Sequence, residues 1–168
     1  MKIVKEVMSY VIIIAVVLLI KFFIISPIRV SGDSMKPTLH NGEFMLLNEI
    51  GYRLNGADRF DIVVINTKDD IIIKRIIGLP GENIKYQDNK LYINGEEVEE
   101  PFDHEITHNY DISELNVEVV PEDHYFVLGD NRGNSSDSRI IGFISKDQIR
   151  GKVFNKVLFP FSKIRTVK

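Results

Sequence analysis

The 168-residue chain contains no cysteine. That absence excludes disulfides, thiolate zinc sites and a cysteine nucleophile together. A domain without bridges must hold together through its core, which suits an exported protein but fixes no compartment. Basic residues are missing from one long stretch. Residues 91–131 carry no Lys or Arg, while residues 96–123 carry eleven acidic side chains, in a chain of net charge −3. No basic face suited to a phosphate backbone is left there, so nucleic acid is not an expected partner. Two hydrolase signatures are also missing. Gly32-Asp33-Ser34-Met35 begins like a nucleophile elbow, but no Gly follows at the required place, and Ser-x-x-Lys occurs nowhere. Beyond residue 26, no segment shows a long helical period.

What is present begins with an apolar run. Residues 8–26 contain one charge, Lys21. As a helix of about 19 residues at ~1.5 Å each, this run would extend ~28 Å, close to the ~30 Å hydrocarbon core. Lys21 could snorkel to the interface, and Pro27 would stop the helix. A cleavable secretion signal looks similar. The run is longer than a usual signal core, however, and no small-x-small site follows it. Residues 1–26 are therefore expected to be a retained, single transmembrane helix in the plasma membrane. Lys2 and Lys5 favour a cytoplasmic N-terminus. Residues 27–168 are expected to form one extracytoplasmic domain large enough for its own core, with the lipid bilayer as a partner.

That domain reads as mostly β. Asn41-Gly42, Asn55-Gly56 and Asn94-Gly95 each suit a tight turn between strands. Strands are predicted over residues 43–48, 62–65, 71–77, 124–128 and 151–158, with a hairpin over 90–98. Residues 146–149 suit a single helical turn. Residues 101–120 are polar, acidic and weakly periodic, and read as an irregular excursion. Many short strands imply a folded antiparallel sheet or barrel-like core. At the C-terminus, Phe154 is expected in the core and Phe161 at the lipid interface.

Chemistry concentrates in a few places. Lys74 lies in the run Ile71-Ile72-Ile73-Lys74-Arg75-Ile76-Ile77 and, in a strand, shares a face with Ile72 and Ile76. Desolvation there would disfavour the charged amine, and a neutral amine can act as a general base for a serine. The same lysine could instead snorkel from a strand edge to water. Ser34, before Pro37, could equally be a polar turn residue. His104-Glu105-Ile106-Thr107-His108 matches the zinc-protease pattern His-Glu-x-x-His. That chemistry needs a helix to bring both histidines to one face. Pro101 and the β-branched Ile106 and Thr107 argue against one, so no metal or other cofactor is expected. Residues 129–139 are dense in turn formers and alternating charge. They read either as a solvated loop or as one ordered by its own carboxylate–guanidinium pairs.

Taken together, four blocks resemble type I signal peptidases of the Gram-positive style. They are residues 31–39, the strand 61–65, Lys74-Arg75-Ile76-Ile77-Gly78-Leu79-Pro80-Gly81-Glu82, and residues 129–139. The resemblance covers most of the chain, and residues 83–123 fall where that family varies most. It implies a folded antiparallel β-sheet core with a small β extension, and a membrane-bound enzyme. Preprotein signal peptides would be cut after small-x-small sites at the membrane surface, through an acyl-enzyme. It implies Ser34 as nucleophile and Lys74 as general base, with the Ser34 N–H at the oxyanion. Ser135 would orient the lysine amine. Asp137 and Arg139 would shape the loop, and Asp130 would partner Arg75. Ile28, Val30, Met35, Leu39 and Ile73 would wall a shallow pocket. Some family members carry a serine two residues before the nucleophile, where this chain has Gly32. Rival readings are a serine–lysine autoprotease like the SOS repressors, a tethered homologue that binds without cutting, and a tethered zinc protease. The sequence leaves the oligomeric state open.

Overall fold

A computed structural model describes residues 2–23, 25–159 and 165–166. Phe161, expected at the lipid interface, lies outside the described residues. The chain opens with helix α1 (Lys2–Phe23). It then enters strand β1 (Ile25–Arg29), which contains Pro27. The expected helix through residue 26 is thus shorter at its C-terminal end. β1 lies at the edge of its sheet, where a proline without an N–H is tolerated. Among the described residues, no helix is long and apolar enough to cross a membrane.

Strand β2 (Phe44–Asn48) leads into helix α2 (Glu49–Asn55). The Asn48 side chain caps this helix by accepting from the Gly51 N–H at 2.7 Å. Gly56 closes it with φ 73°, its N–H reaching Tyr52 O. Asn55-Gly56 therefore ends a helix rather than joining two strands, because a left-handed glycine serves both purposes. Strands β3 (Ile62–Asn66) and β4 (Ile71–Gly78) follow as an antiparallel pair.

Four short strands come next: β5 (Ile84–Gln87), β6 (Lys90–Ile93), β7 (Glu96–Val98) and β8 (Tyr110–Asp111). They form a separate sheet in the order β7-β6-β5-β8. Asn94 and Gly95 both have positive φ at its β6–β7 turn, as expected for Asn-Gly. After β8 comes a 3₁₀ turn (Ile112–Leu115) closed by an Asp111–Glu114 capping box. The main chain then returns through β9 (His124–Leu128), the single turn α3 (Ser138–Ile141) and β10 (Ile144–Ser145). A second 3₁₀ turn (Lys146–Gln148) matches the predicted helical turn. The long strand β11 (Ile149–Phe159) and short β12 (Arg165–Thr166) complete the described chain. The main sheet runs β1-β2-β11-β3-β4-β9-β10, with β12 paired to β11, and all its pairs are antiparallel.

Strand alternation divides the core. On β9, Phe126 and Leu128 face an apolar cluster shared with the small sheet. Tyr125 and Val127 face another cluster with Tyr52, Val63 and Ile76. Period-two placement on a doubly covered strand produces this split. The acidic excursion supplies Phe102, Tyr110, Ile112 and Val120 to the first of these clusters. It is therefore core-forming, which its polar composition concealed. Phe154 is 41 % exposed, against the expected core position, because Val153 before it takes the inward face.

Candidate active site

Ser34 lies in the connection between β1 and β2. Hydrogen bonds from Val30 N–H to Glu43 O (2.8 Å) and from Gly42 N–H to Val30 O (2.9 Å) close the base of this loop. Within it, Leu39 N–H donates to Met35 O at 2.8 Å, and both side chains are buried. Ser34 is thus held on a turn anchored from below. Lys74 arrives from β4, 40 positions away in sequence, with Nζ 2.8 Å from Ser34 Oγ and 3.2 Å from the Ile73 carbonyl. Only 3 % of Lys74 is exposed. Burial lowers its pKa from the ordinary 10.5, while the charges of Asp137 and Asp130 oppose that shift. The snorkelling alternative for this lysine is excluded by its burial.

The segment 129–139 packs directly on the serine turn. Asn131 N–H donates to the Ser34 carbonyl at 3.0 Å, and Asn131 Nδ2 donates to Asp33 O at 3.0 Å. Asp137 is fully buried and accepts the Gly129 N–H at 3.1 Å. Arg139 grips the same carboxylate with Nε at 2.9 Å and Nη2 at 2.8 Å. This is the fork geometry that favours arginine over lysine. Arg75 holds Asp130 likewise, with Nε at 2.9 Å and Nη2 at 2.7 Å. Its guanidinium also reaches Phe60 O at 2.9 Å and lies 3.8 Å from the Phe102 ring centroid. The segment is therefore the ordered loop of carboxylate–guanidinium pairs, and not a solvated one.

Ser135 departs from expectation. Its hydroxyl is buried and has no hydrogen-bond partner among the described residues. It does not bond to Lys74, whose amine is occupied by Ser34 Oγ and the Ile73 carbonyl. Instead it packs against Gly129 beside the Ser34 carbonyl, so that a Cβ at position 129 would collide with both. Gly129 and Asn131 were not singled out from the sequence. Their signal, a Gly and an Asn in a charged turn, does not distinguish them from ordinary loop residues.

The five expected pocket residues do come together. Val30, Met35, Leu39 and Ile73 join one apolar cluster with Met45, Leu47, Ile62, Val64 and Val153, and Ile28 packs against it half-buried. Four of the five are buried, so in this structure they form a floor more than an open wall. Gly32 has φ +86°, with open space where a side chain would be. A serine there would meet backbone strain rather than a clash.

The His-Glu-x-x-His segment is not helical. His104 Nε2 lies 3.2 Å from Glu100 Oε2, and its Nδ1 lies 2.7 Å from Glu105 O. Among the described residues, no group of three or more His, Cys, Asp or Glu is placed to hold a metal ion.

Comparison with known proteins agrees with this arrangement. The profile described as signal peptidase, peptidase S26 matches residues 3–158. Signal peptidase IB of Staphylococcus aureus (strain COL) is 38 % identical over 180 residues, covering 96 % of this chain and 94 % of that protein. Signal peptidase I S of Bacillus subtilis (strain 168) is 44 % identical over 170 residues, covering 92 % and 89 %. The crystal structure of a signal peptidase I from Enterococcus faecalis V583 superposes with a TM-score of 0.52 at 36 % identity, covering 57 % of this chain and 95 % of that one. With matches of this extent, the chain belongs to the signal peptidase, peptidase S26 family, and is a serine endopeptidase.

Proposed function

We propose that this peptidase removes signal peptides from exported preproteins by serine–lysine endoproteolysis after small-x-small sites. The observation that carries the reading is the 2.8 Å contact between Ser34 Oγ and the amine of a buried Lys74. Desolvation favours the neutral amine. Neutral Lys74 accepts the Ser34 proton as Oγ attacks the scissile carbonyl, forming the C–O bond of a tetrahedral intermediate. Lys74 then gives that proton to the leaving amine as the peptide C–N bond breaks. In the second half, Lys74 takes a proton from water, which attacks the acyl-enzyme ester. Ser34 Oγ leaves and recovers its proton.

The Ser34 backbone N–H is the proposed oxyanion donor, a group typically worth ~3–4 kcal/mol in such sites. Asp137 with Arg139, and Asp130 with Arg75, keep the loop in register against the serine turn. In the reading, Ser135 orients the amine once Ser34 Oγ turns towards substrate and vacates that partner. The apolar cluster around Ile28, Val30, Met35, Leu39 and Ile73 offers a small side chain a shallow, dry seat. A hydrophobic seat of limited depth discriminates by size.

Membrane attachment through residues 1–26, with the N-terminus cytoplasmic and residues 27–168 outside, belongs to the same proposal. It rests on the apolar run 8–26 and on the exposure along α1 of Val7, Met8, Val11, Ile12, Ile13 and Ile14. Confinement to a membrane surface would raise the effective concentration of a membrane-held substrate.

The test is cleavage of a preprotein bearing an Ala-x-Ala site, in detergent with EDTA, by wild type, Ser34→Ala and Lys74→Ala. Cleavage by wild type alone is expected. Cleavage surviving in either variant, or abolished by EDTA, would overturn the serine–lysine reading.

A further inference from the structure

Arg132 is buried, yet its side chain leaves the 129–139 loop and enters the small sheet. Nε donates to the Gly129 carbonyl at 3.0 Å. Nη1 donates to Tyr86 OH at 3.2 Å and to Thr107 Oγ1. Nη2 donates to Glu100 Oε1 at 2.6 Å. Tyr86 lies on β5, whereas Glu100 and Thr107 lie in the chain between β7 and β8. One guanidinium thus joins three separate points of the extension to a single backbone carbonyl of the loop.

The fourth partner matters because of what Gly129 does. Its N–H is taken by Asp137 and its C=O by Arg132. Its Cα face lies against Ser135 Oγ and the carbonyl of Ser34. Gly129 is therefore held through the peptide groups on both sides of its Cα while it abuts the nucleophile's own backbone. The far end of the connection is fixed as well. The Glu100 side chain is only 4 % exposed, and that desolvation by itself would raise its carboxyl pKa. The hydrogen bonds from His104 and Arg132 outweigh that effect and hold it at about 2. The carboxylate that grips Arg132 is therefore ionised at any working pH. Tyr86 OH also donates to Glu100 Oε1, at 3.0 Å.

We propose that Arg132 is a positioning residue for the hydrolysis, and that Glu100 and the small sheet act through it to hold Gly129 against the Ser34 turn. The extension is thereby a brace for the dyad. Lys would not replace Arg132, because one ammonium cannot reach both the Gly129 carbonyl and the Glu100 carboxylate in this planar fork. The inference rests on the serine–lysine reading of the same site.

The experiment compares wild type, Arg132→Lys, Arg132→Met, Glu100→Gln, Ser34→Ala and Lys90→Ala on the Ala-x-Ala preprotein in detergent. It reads kcat, KM, the acid limb of kcat against pH, and the thermal midpoint. A small displacement of the nucleophile should lower kcat by about tenfold to a hundredfold in both Arg132 variants, with KM within about twofold of wild type. The acid limb should move to higher pH, because a slackened Gly129 admits water beside Lys74 and relieves its desolvation. Glu100→Gln should show the same pattern to a smaller degree. Lys90→Ala removes an exposed ion pair on the same sheet and should leave every reading unchanged. Wild-type kcat and acid limb in folded Arg132→Lys would overturn the inference. Should the Arg132 variants fail to fold, wild-type kcat and acid limb in Glu100→Gln would overturn it. Cleavage by Ser34→Ala would instead sink the serine–lysine reading, and the inference with it. An inactive Ser34→Ala beside an unaffected Arg132→Lys would remove only the brace.

Discussion

Arg75 and Asp130 form a two-pronged ion pair that solvent scarcely reaches, with side-chain exposures of 1 % and 0 %. Arg75 follows Lys74 on β4, and neighbouring strand residues point to opposite faces. One residue of the pair Lys74-Arg75 therefore reaches the serine, and the other fastens the loop that flanks it. The strand positions base and support together, and each has its own consequence.

Removing one partner of the ion pair strands a buried charge, which costs about 3–5 kcal/mol. Asp130→Asn and Arg75→Met should each lower the thermal midpoint strongly, and Arg75→Lys should do so because the fork is lost. The double variant Arg75→Met with Asp130→Leu should recover part of the loss, since no buried charge remains unpaired. A double variant no more stable than the worse single one would contradict this account.

Lys74→Arg should be as inactive as Lys74→Ala. A guanidinium stays protonated throughout the working range, so it cannot accept the Ser34 proton. Losses of about 10³–10⁶-fold in kcat are expected for each and for Ser34→Ala, and the double variant should lose little more than either single one, since the dyad acts as a unit. Single-turnover cleavage would measure this.

The depressed pKa of Lys74 fixes two slopes with pH. Activity should rise with pH through the folded value, below 10.5, because only the neutral amine is a base. Between the folded value and 10.5 the unfolded chain binds the extra proton, so stability also rises with pH there. It is lost as pH falls through the folded value. Lys74→Met should abolish that contribution, as denaturant titrations at several pH values would register. A kcat that stays flat across the wild type's acid range would contradict it.

Gly129→Ala should disable the enzyme while leaving most of the fold. Its new methyl would strike the Ser135 hydroxyl and the Ser34 carbonyl. The Ser34 carbonyl, being backbone, cannot move without shifting the serine turn. A fall in kcat of about a hundredfold is expected, with far-UV circular dichroism unchanged. Wild-type cleavage by this variant would show that the serine turn tolerates displacement.

Much of the strand placement along the chain could be read directly, though not the order of the strands in the sheets. Runs of β-branched residues in β3, β4 and β9 give the same signal in any context, and Asn94-Gly95 specifies its hairpin locally. Ile25–Arg29 was hidden because Pro27 reads as a helix stop, whereas at a sheet edge it is compatible with a strand. Tyr110–Asp111 was hidden by its length: two residues have no periodicity. The carboxylate–guanidinium pairing of residues 129–139 was legible as a possibility. Which arginine meets which carboxylate came only through the family resemblance, which paired Asp137 with Arg139 and Asp130 with Arg75 as the structure does, since sequence distance alone carries no information about that geometry.

The sequence by itself determined the chemical inventory: no thiol, no basic face, an apolar N-terminal run, a serine and a lysine in distinctive settings, and strand after strand of alternating or fully apolar residues. These depend on composition and local period, which are properties of the chain alone. Only the tertiary structure decided that Lys74 is buried, that its amine meets Ser34 and not Ser135, and that the acidic excursion reaches back through Glu100 to Arg132. Desolvation and hydrogen bonding depend on what surrounds a group, and those surroundings come from residues far apart in sequence.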